Sequence, residues 1–176
     1  MMDYTSYNHF LLLKTSETFL EHARTHKEGS FYYCLGSIVF CAFAIEAFIN
    51  HCGIFKEGDN WKEQNNKGRW ITIEEKLQTL GVELKNHKDK FYKIRDIRHY
   101  ISHGRPDTKI YEKIKKDIDI QDYMQTDFEK QIKLVLAEDM FKFTKEFMKH
   151  INIESKCGFS NIEIFHIAGE GGGSYY

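Results

Sequence analysis

FYYCLGSIVFCAFAIEAFI, residues Phe31–Ile49, contains only two clearly polar side chains, Ser37 and Glu46. Its length approaches the ~20 residues that span a bilayer. Three features argue against a span: the carboxylate of Glu46, the aromatic crowding of Phe31, Tyr32 and Tyr33, and the lack of a strong basic cluster on either flank. A helix apolar on every face is also what the centre of a bundle requires, because neighbours cover it on all sides. The stretch is therefore read as the central helix of an all-α bundle, with Ser30 as its N-cap and an end near Cys52 and Gly53.

Outward from that helix, the pattern on both sides is helical. Residues from about Thr5 to His26 place Phe10, Leu13, Phe19 and Leu20 at helical spacing, and Glu28-Gly29-Ser30 breaks the run. A polar loop with Trp61 is expected from Gly58 to Arg69. Thr72-Ile73-Glu74-Glu75 has the T-x-x-E form of a capping box, which predicts a short helix ending at Gly81 with Ile73, Leu77 and Leu80 facing the core. A further helix from Lys85 or His87 to His103 would bury the Lys90 stem, Ile94, Ile97 and Ile101, and Gly104 and Pro106 would close it. Lys109–Ile118 reads as a short charged helix. Phe128–Ile151 is strongly periodic, with Ile132, Val135, Leu136, Met140, Phe143 and Phe147 as its buried stripe. Asn161–Ile167 alternates like a strand or extended arm, and Gly169–Tyr176 reads as a flexible end. These elements make a bundle of about four to five helices over residues 1–152, followed by a C-terminal arm and Gly-rich tail over 153–176.

With 176 residues, one proline and 41% apolar residues, the chain has enough material for one core and too little for two. A formal charge of -1 gives no global attraction to nucleic acid, so polyanion binding would need a local patch. Lys85, Lys88, Lys90, Lys93, Arg95, Arg98 and Arg105 form a basic region, followed by an acidic one at Asp117, Asp119, Asp122, Asp127 and Glu129. Either run could equally be a solvated surface. Cys34, Cys41, Cys52 and Cys157 contain no Cys-x-x-Cys pair and read as buried thiols of a reducing compartment. The opening MMDYTSYNHF has no secretion-signal pattern, so a cytoplasmic protein with no membrane association is expected. Gly171-Gly172-Gly173 lacks the strand, helix and Lys-Ser/Thr of a phosphate loop.

The chemistry concentrates in Arg98-His99-Tyr100-Ile101-Ser102-His103-Gly104. A permanent cation stands near a side chain that exchanges protons around neutral pH, which is the minimum equipment for cleaving a phosphodiester without metal. At about 100° per residue, Arg98 lies about 40° from Ile94, at the margin of the buried stripe, and His103 lies about 180° from it. An arginine at a core margin calls for an anion, and Glu46 on the central helix is the available carboxylate. The two could form a purely structural pair, and His103 could simply complement the helix dipole. His99 and His103, four apart, could also be half of a metal site, but no His-Glu-x-x-His arrangement or third ligand accompanies them, so no metal or other cofactor is assigned.

Arg98-His99-Tyr100-Ile101-Ser102-His103-Gly104, closing a helix in an all-helical chain, resembles the Arg-x4-His signature of HEPN domains, with His99 where that family often has asparagine. The resemblance extends to Cys41-Ala42-Phe43-Ala44-Ile45-Glu46-Ala47-Phe48-Ile49-Asn50, which is similar to the helix preceding the motif helix in that fold. It covers residues 5–150 in architecture and about a dozen positions in detail. It implies a HEPN-like dimer and, in active members, a metal-independent endoribonuclease whose site combines motifs from two subunits. Carried over, Arg98 stabilises the phosphate, His103 moves the proton and His99 supports either task, with Glu46 positioning Arg98. Lys93, Arg95 and Arg105 would contact RNA. Members controlled by nucleotidyltransferase antitoxins carry a tyrosine two residues after the histidine; Arg105 stands there, and Tyr111 does not match the motif.

Three functions follow. The first is an RNA-cleaving toxin or antiviral or stress effector, with RNA, a second copy of the chain and an antitoxin or regulatory protein as partners. The second is a catalytically silent HEPN-like dimeric module that binds a nucleotide, RNA or protein. The third is a structural helical dimer in which Arg98 and Glu46 merely pair.

Overall fold

A helix apolar on all sides needs other helices against it in water, and the computed structural model supplies them for one side of the apolar stretch, leaving the other side half-buried where complete cover was expected. It describes residues 8–67, 72–103 and 130–165. Four long helices, α1 (Asn8–Thr25), α2 (Ser30–Glu57), α5 (Lys88–His103) and α6 (Leu134–Glu154), are joined by three short ones, α3 (Asp59–Asn66), α4 (Ile73–Thr79) and α7 (Asn161–Phe165). A 3₁₀ turn at Lys85–His87 leads into α5. There is no strand among the described residues, and the fold is all-α.

Helix α2 is the axis of the bundle, flanked by α1, α6 and α5, with α3 and α4 against its C-terminal half. Ile38, Cys41, Ala44, Ile45, Phe48, Ile49 and Cys52 are all buried and form one broad stripe, about 140° wide, whereas Val39, Phe40, Phe43, Ala47 and Asn50 on the opposite side are half-buried. By length and composition α2 could cross a membrane, and half of its most apolar window is buried against the other helices. Small residues bring α1 close to it. The buried Ser16 Oγ donates to the Ser37 carbonyl at 2.9 Å and lies 3.0 Å from Ser37 Oγ, while Gly36 leaves space filled by the Phe19 ring.

Several boundaries differ from the sequence reading. Ser30 is not the N-cap. Gly29 takes that place with φ 75°, and Ser30 Oγ instead donates to the Ala23 carbonyl at 3.3 Å. Helix α2 runs through Gly53 to Glu57, and part of the expected loop after Gly58 is helix α3. The two corrections share a cause. The ring of the fully buried Trp61 on α3 lies directly over Gly53, where an added Cβ would stand 2.1 Å from Trp61 Cε2, so the glycine is a docking point within a helix.

The capping box of α4 is present. Thr72 Oγ1 accepts from the Glu75 amide and Glu75 Oε2 accepts from the Thr72 amide, both at 3.2 Å. Leu77 and Leu80 are buried and Ile73 partly so, and Gly81 ends the segment with φ 74°. In α5 Ile94 and Ile97 are buried as expected. Ile101 is exposed and Lys90 extends to Asp139, so the first buried position is Phe91.

Helix α6 begins at Leu134 after an extended Lys133, later than the periodicity suggested. Val135, about 140° around α6 from Met140, points outward at 77% exposure, whereas Ile132, Met140, Phe143 and Phe147 are buried and Leu136 half-buried. The extended arm is also corrected. Asn161–Phe165 is helical, with Ser160 Oγ and Glu163 Oε2 exchanging hydrogen bonds with each other's amides, and Ile164 reaches the core. Cys157 is buried there too, so core packing continues past residue 152. The expected helix at 109–118, the closing Gly104 and Pro106, the acidic run 117–129 and the tail 169–176 lie outside the described residues.

Helix propensity alone would make Gly53→Ala stabilising by about 1 kcal/mol. The Trp61 contact reverses the sign: Gly53→Ala should destabilise by roughly 1–3 kcal/mol in urea unfolding, with Trp61 fluorescence shifted to the red. A more stable Gly53→Ala protein would show that α3 does not dock there.

Candidate functional site

Helix α5 has few strong helix formers beyond its lysines and arginines, and three inward apolar residues, Phe91, Ile94 and Ile97, hold it onto the bundle. Arg98 follows the last of them, so its position relative to α2 is set by that packing. Its Nη2 lies 3.7 Å from Glu46 Oε2, and its Cζ lies 5.6 Å from the Phe43 ring centroid. The expected partnership with Glu46 is therefore present, in a looser form. The side chains are 36% and 32% exposed, and 3.7 Å is an ion pair without a close hydrogen bond. A cavity of about 30 Å³ beside them, between α2 and α5, is lined by Ala42, Ile45, Ile73, Ile94 and Arg95 along with the pair itself.

Glu46 serves a second cation. Lys76, on α4, donates from Nζ to Asn50 Oδ1 at 2.9 Å, and Asn50 lies one turn beyond Glu46 on α2. Burial pushes the Lys76 ammonium below its ordinary range, while the nearby Glu46 charge works in the opposite direction. Lys76, Asn50 and Phe43 escaped the sequence reading. The signal that could have found Asn50 and Phe43 was their spacing of one turn on either side of Glu46, whereas Lys76 enters only through the docking of α4.

Helix α5 is assigned as regular α-helix through His103. Five steps of about 100° then place the Cα positions of Arg98 and His103 about 140° apart around the axis. Within the described residues, Arg98 faces α2. His103 falls by register on the α5 face that includes Asp89, Asp96 and Tyr100. Ser102 Oγ donates to the Arg98 carbonyl at 2.9 Å, so it is used within the helix. His99 is exposed. Among the described residues, no group of three histidine, cysteine or carboxylate side chains is arranged to hold a metal ion.

The face bearing Tyr100 borders a larger cleft of about 520 Å³, formed by α5 and the residues leading into α6. Asp89, Tyr92, Lys93, Asp96, Tyr100 and Gln131 supply its polar lining, above Ile97, Ile132 and Leu136. Lys93, one of the residues expected to contact RNA, lines this cleft. Arg95 does not line this cleft. It bridges Glu74 and Asp96, with its guanidinium 4.4 Å from the Tyr92 ring centroid. Arg105 lies outside the described residues.

The basic region is more neutral than its composition suggests. Lys85 pairs with Glu154, Lys90 with Asp139, Arg95 with Glu74 and Asp96, and Arg98 with Glu46. Apart from Asp96, next to Arg95, the partners come from three other helices, α2, α4 and α6, which no local reading of charge could bring together. No family model matches the chain, and no curated protein and no solved structure shows significant similarity to it.

A half-exposed pair at this distance contributes little to stability once solvent screening is counted. Removing Arg98 should cost below about 1 kcal/mol, and a double-mutant cycle of Arg98→Ala with Glu46→Ala should give a coupling of about 0.2–1 kcal/mol. A loss near the ~3–5 kcal/mol typical of a broken buried pair would mean that the seam is closed to water in solution.

Proposed function

We propose that the chain is a metal-independent endoribonuclease of the HEPN type, acting as a two-fold dimer with a composite site. The carrying observation is the placement of Arg98, which α5 and α2 hold in a half-exposed seam beside Glu46 and Phe43, near a helix end that carries His103. Such an arginine can meet a phosphate without first being extracted from the core. The 140° divergence of Arg98 and His103 supports a second copy, because two-fold symmetry brings the arginine of one subunit to the histidine of the other.

In this mechanism a His103 imidazole takes the proton from the RNA 2′-hydroxyl as its oxygen bonds to phosphorus. Arg98 stabilises the charge that builds on the non-bridging oxygens. The bond from phosphorus to the 5′-oxygen then breaks, and the leaving oxygen takes the proton that the same His103 has just accepted. The product is a 2′,3′-cyclic phosphate and a 5′-hydroxyl. His99 supports the histidine or the phosphate. The 520 Å³ cleft offers Lys93 for the backbone and the Tyr92 and Tyr100 rings for stacking unpaired bases. A role as a cytoplasmic toxin, or as an antiviral or stress effector restrained by an antitoxin or other regulatory protein, fits an RNase of this kind.

A second reading, a catalytically silent module that binds a nucleotide, RNA or protein, draws support from the same pairs. Glu46 partly neutralises Arg98, and the ion pairs of Lys85, Lys90 and Arg95 weaken the attraction for a polyanion.

Purified protein in excess chelator should cleave a mixed RNA pool, leave cyclic or opened 3′-phosphates and spare DNA, which lacks the nucleophile. His103→Ala should reduce the rate by about 10²–10⁴-fold with folding nearly unchanged. Equal RNA cleavage by wild type and His103→Ala would leave only the binding or structural readings, and activity restored by a divalent metal would sink this mechanism.

A further inference from the structure

At the C-terminal end of α2, away from the Arg98 seam, two cysteines from distant parts of the chain come together. Cys52, on α2, is fully buried, and Cys157, just past α6, is 7% exposed. Cys157 Sγ donates to the Cys52 carbonyl at 3.9 Å, which places the two cysteines side by side.

The turn that presents Cys157 is built to hold it. Lys156 and Gly158 on either side adopt left-handed backbone, with φ 58° and 74°. Asn152 clamps the turn from both directions, donating from Nδ2 to the Phe159 carbonyl and accepting at Oδ1 from the Phe159 amide, each at 2.9 Å. Ser155 Oγ donates to Cys157 Sγ at 3.2 Å, and the ammonium of Lys56, one turn beyond Cys52 on α2, adds positive charge nearby.

We propose that Cys157 is a hydroperoxide-reactive thiol and Cys52 its resolving partner, so that the chain carries a site for a reversible Cys52–Cys157 disulfide. Geometry gives each sulfur its role: Ser155 Oγ donates to Cys157 Sγ, which favours its thiolate, and Cys157 keeps some exposure where Cys52 has none. Cys52, Ser155 and Lys56 hold the Cys157 thiol below its ordinary range against the opposing effect of burial, whereas its neighbour and burial hold Cys52 above. The Cys157 thiolate attacks one oxygen of a hydroperoxide. The O–O bond breaks, an S–O bond forms, and the alkoxide or hydroxide leaves with a proton to give Cys157 sulfenic acid. Cys52 sulfur then attacks that sulfur, the S–O bond breaks, and the hydroxide takes the Cys52 proton to leave as water. The two thiols lose two electrons to the peroxide, which is reduced to an alcohol or water. A low-molecular-weight thiol reverses the change by exchange. The bond would tie the end of α6 covalently to α2 and does not depend on the nuclease proposal.

Cys34 and Cys41 serve as internal controls, since both are buried and both thiols are pushed up, chiefly by that burial. The reduced full-length protein, freed of reductant and treated with hydrogen peroxide, should lose titratable thiols from four to two. Mass spectrometry without reduction should find one cross-linked peptide joining Cys52 to Cys157, and dithiothreitol should restore all four thiols. Before the cross-link forms, Cys157 should react with peroxide at least about tenfold faster than Cys34 or Cys41 in the same molecule, a comparison that needs no variant. Cys52→Ser should convert the product to a sulfenic acid at Cys157 that dimedone traps. Oxidation spread evenly over the cysteines, or Cys157 sulfenic acid persisting in the wild type without a disulfide, would overturn the proposal.

Discussion

Everything in this structure depends on covering one helix. The 28-residue α2 is apolar along most of its length, and α1, α5 and α6 pack on it so that its broad stripe from Cys34 to Cys52 is taken out of water. That requirement fixes where α5 lies, because Phe91, Ile94 and Ile97 must meet α2 and α6. Arg98 then has no choice but to reach the margin where Glu46 stands. The one carboxylate of the apolar stretch is tolerated because it sits at an edge, where Arg98 and Lys76 offer positive charge and water still has access.

The legibility of the sequence followed the range of the interactions involved. The capping box at Thr72, the glycine stop at Gly81 and the inward Ile94 and Ile97 rest on contacts within a few residues and could be read directly. Glu46 and Arg98 could be matched because each was anomalous in its own helix. The misses were tertiary. Gly53 resembles a helix stop until Trp61 is seen to fill the space above it, and the alternation of Asn161–Ile167 suggests a strand until Ser160 caps a helical turn and Ile164 docks. Val135 reads as part of the apolar stripe of α6, but it lies about 140° around the helix from Met140 and faces solvent.

The same distinction governs the candidate site. A row of lysines and arginines along α5 promises a field for a polyanion, yet acidic residues from α2, α4, α5 and α6 take up much of it. What remains is specific instead of global: an arginine seated at a seam, a cleft with two tyrosines and a lysine, and a helix end with a histidine. Arg98 and His103 are near in sequence but diverge around a regular helix, which is why the proposed chemistry calls on a second copy of the chain.

The composite site can be tested by mixing two inactive variants. Arg98→Ala and His103→Ala proteins, unfolded and refolded together so that subunits exchange, would form mixed dimers in which one site receives Arg98 from one subunit and His103 from the other. With random pairing, half the dimers are mixed and one of their two sites is intact, so RNA cleavage should return to about one quarter of the wild-type rate. A mixture that remains as inactive as either variant alone, with mixed dimers demonstrated by mass spectrometry, would contradict a site shared between two copies of the chain.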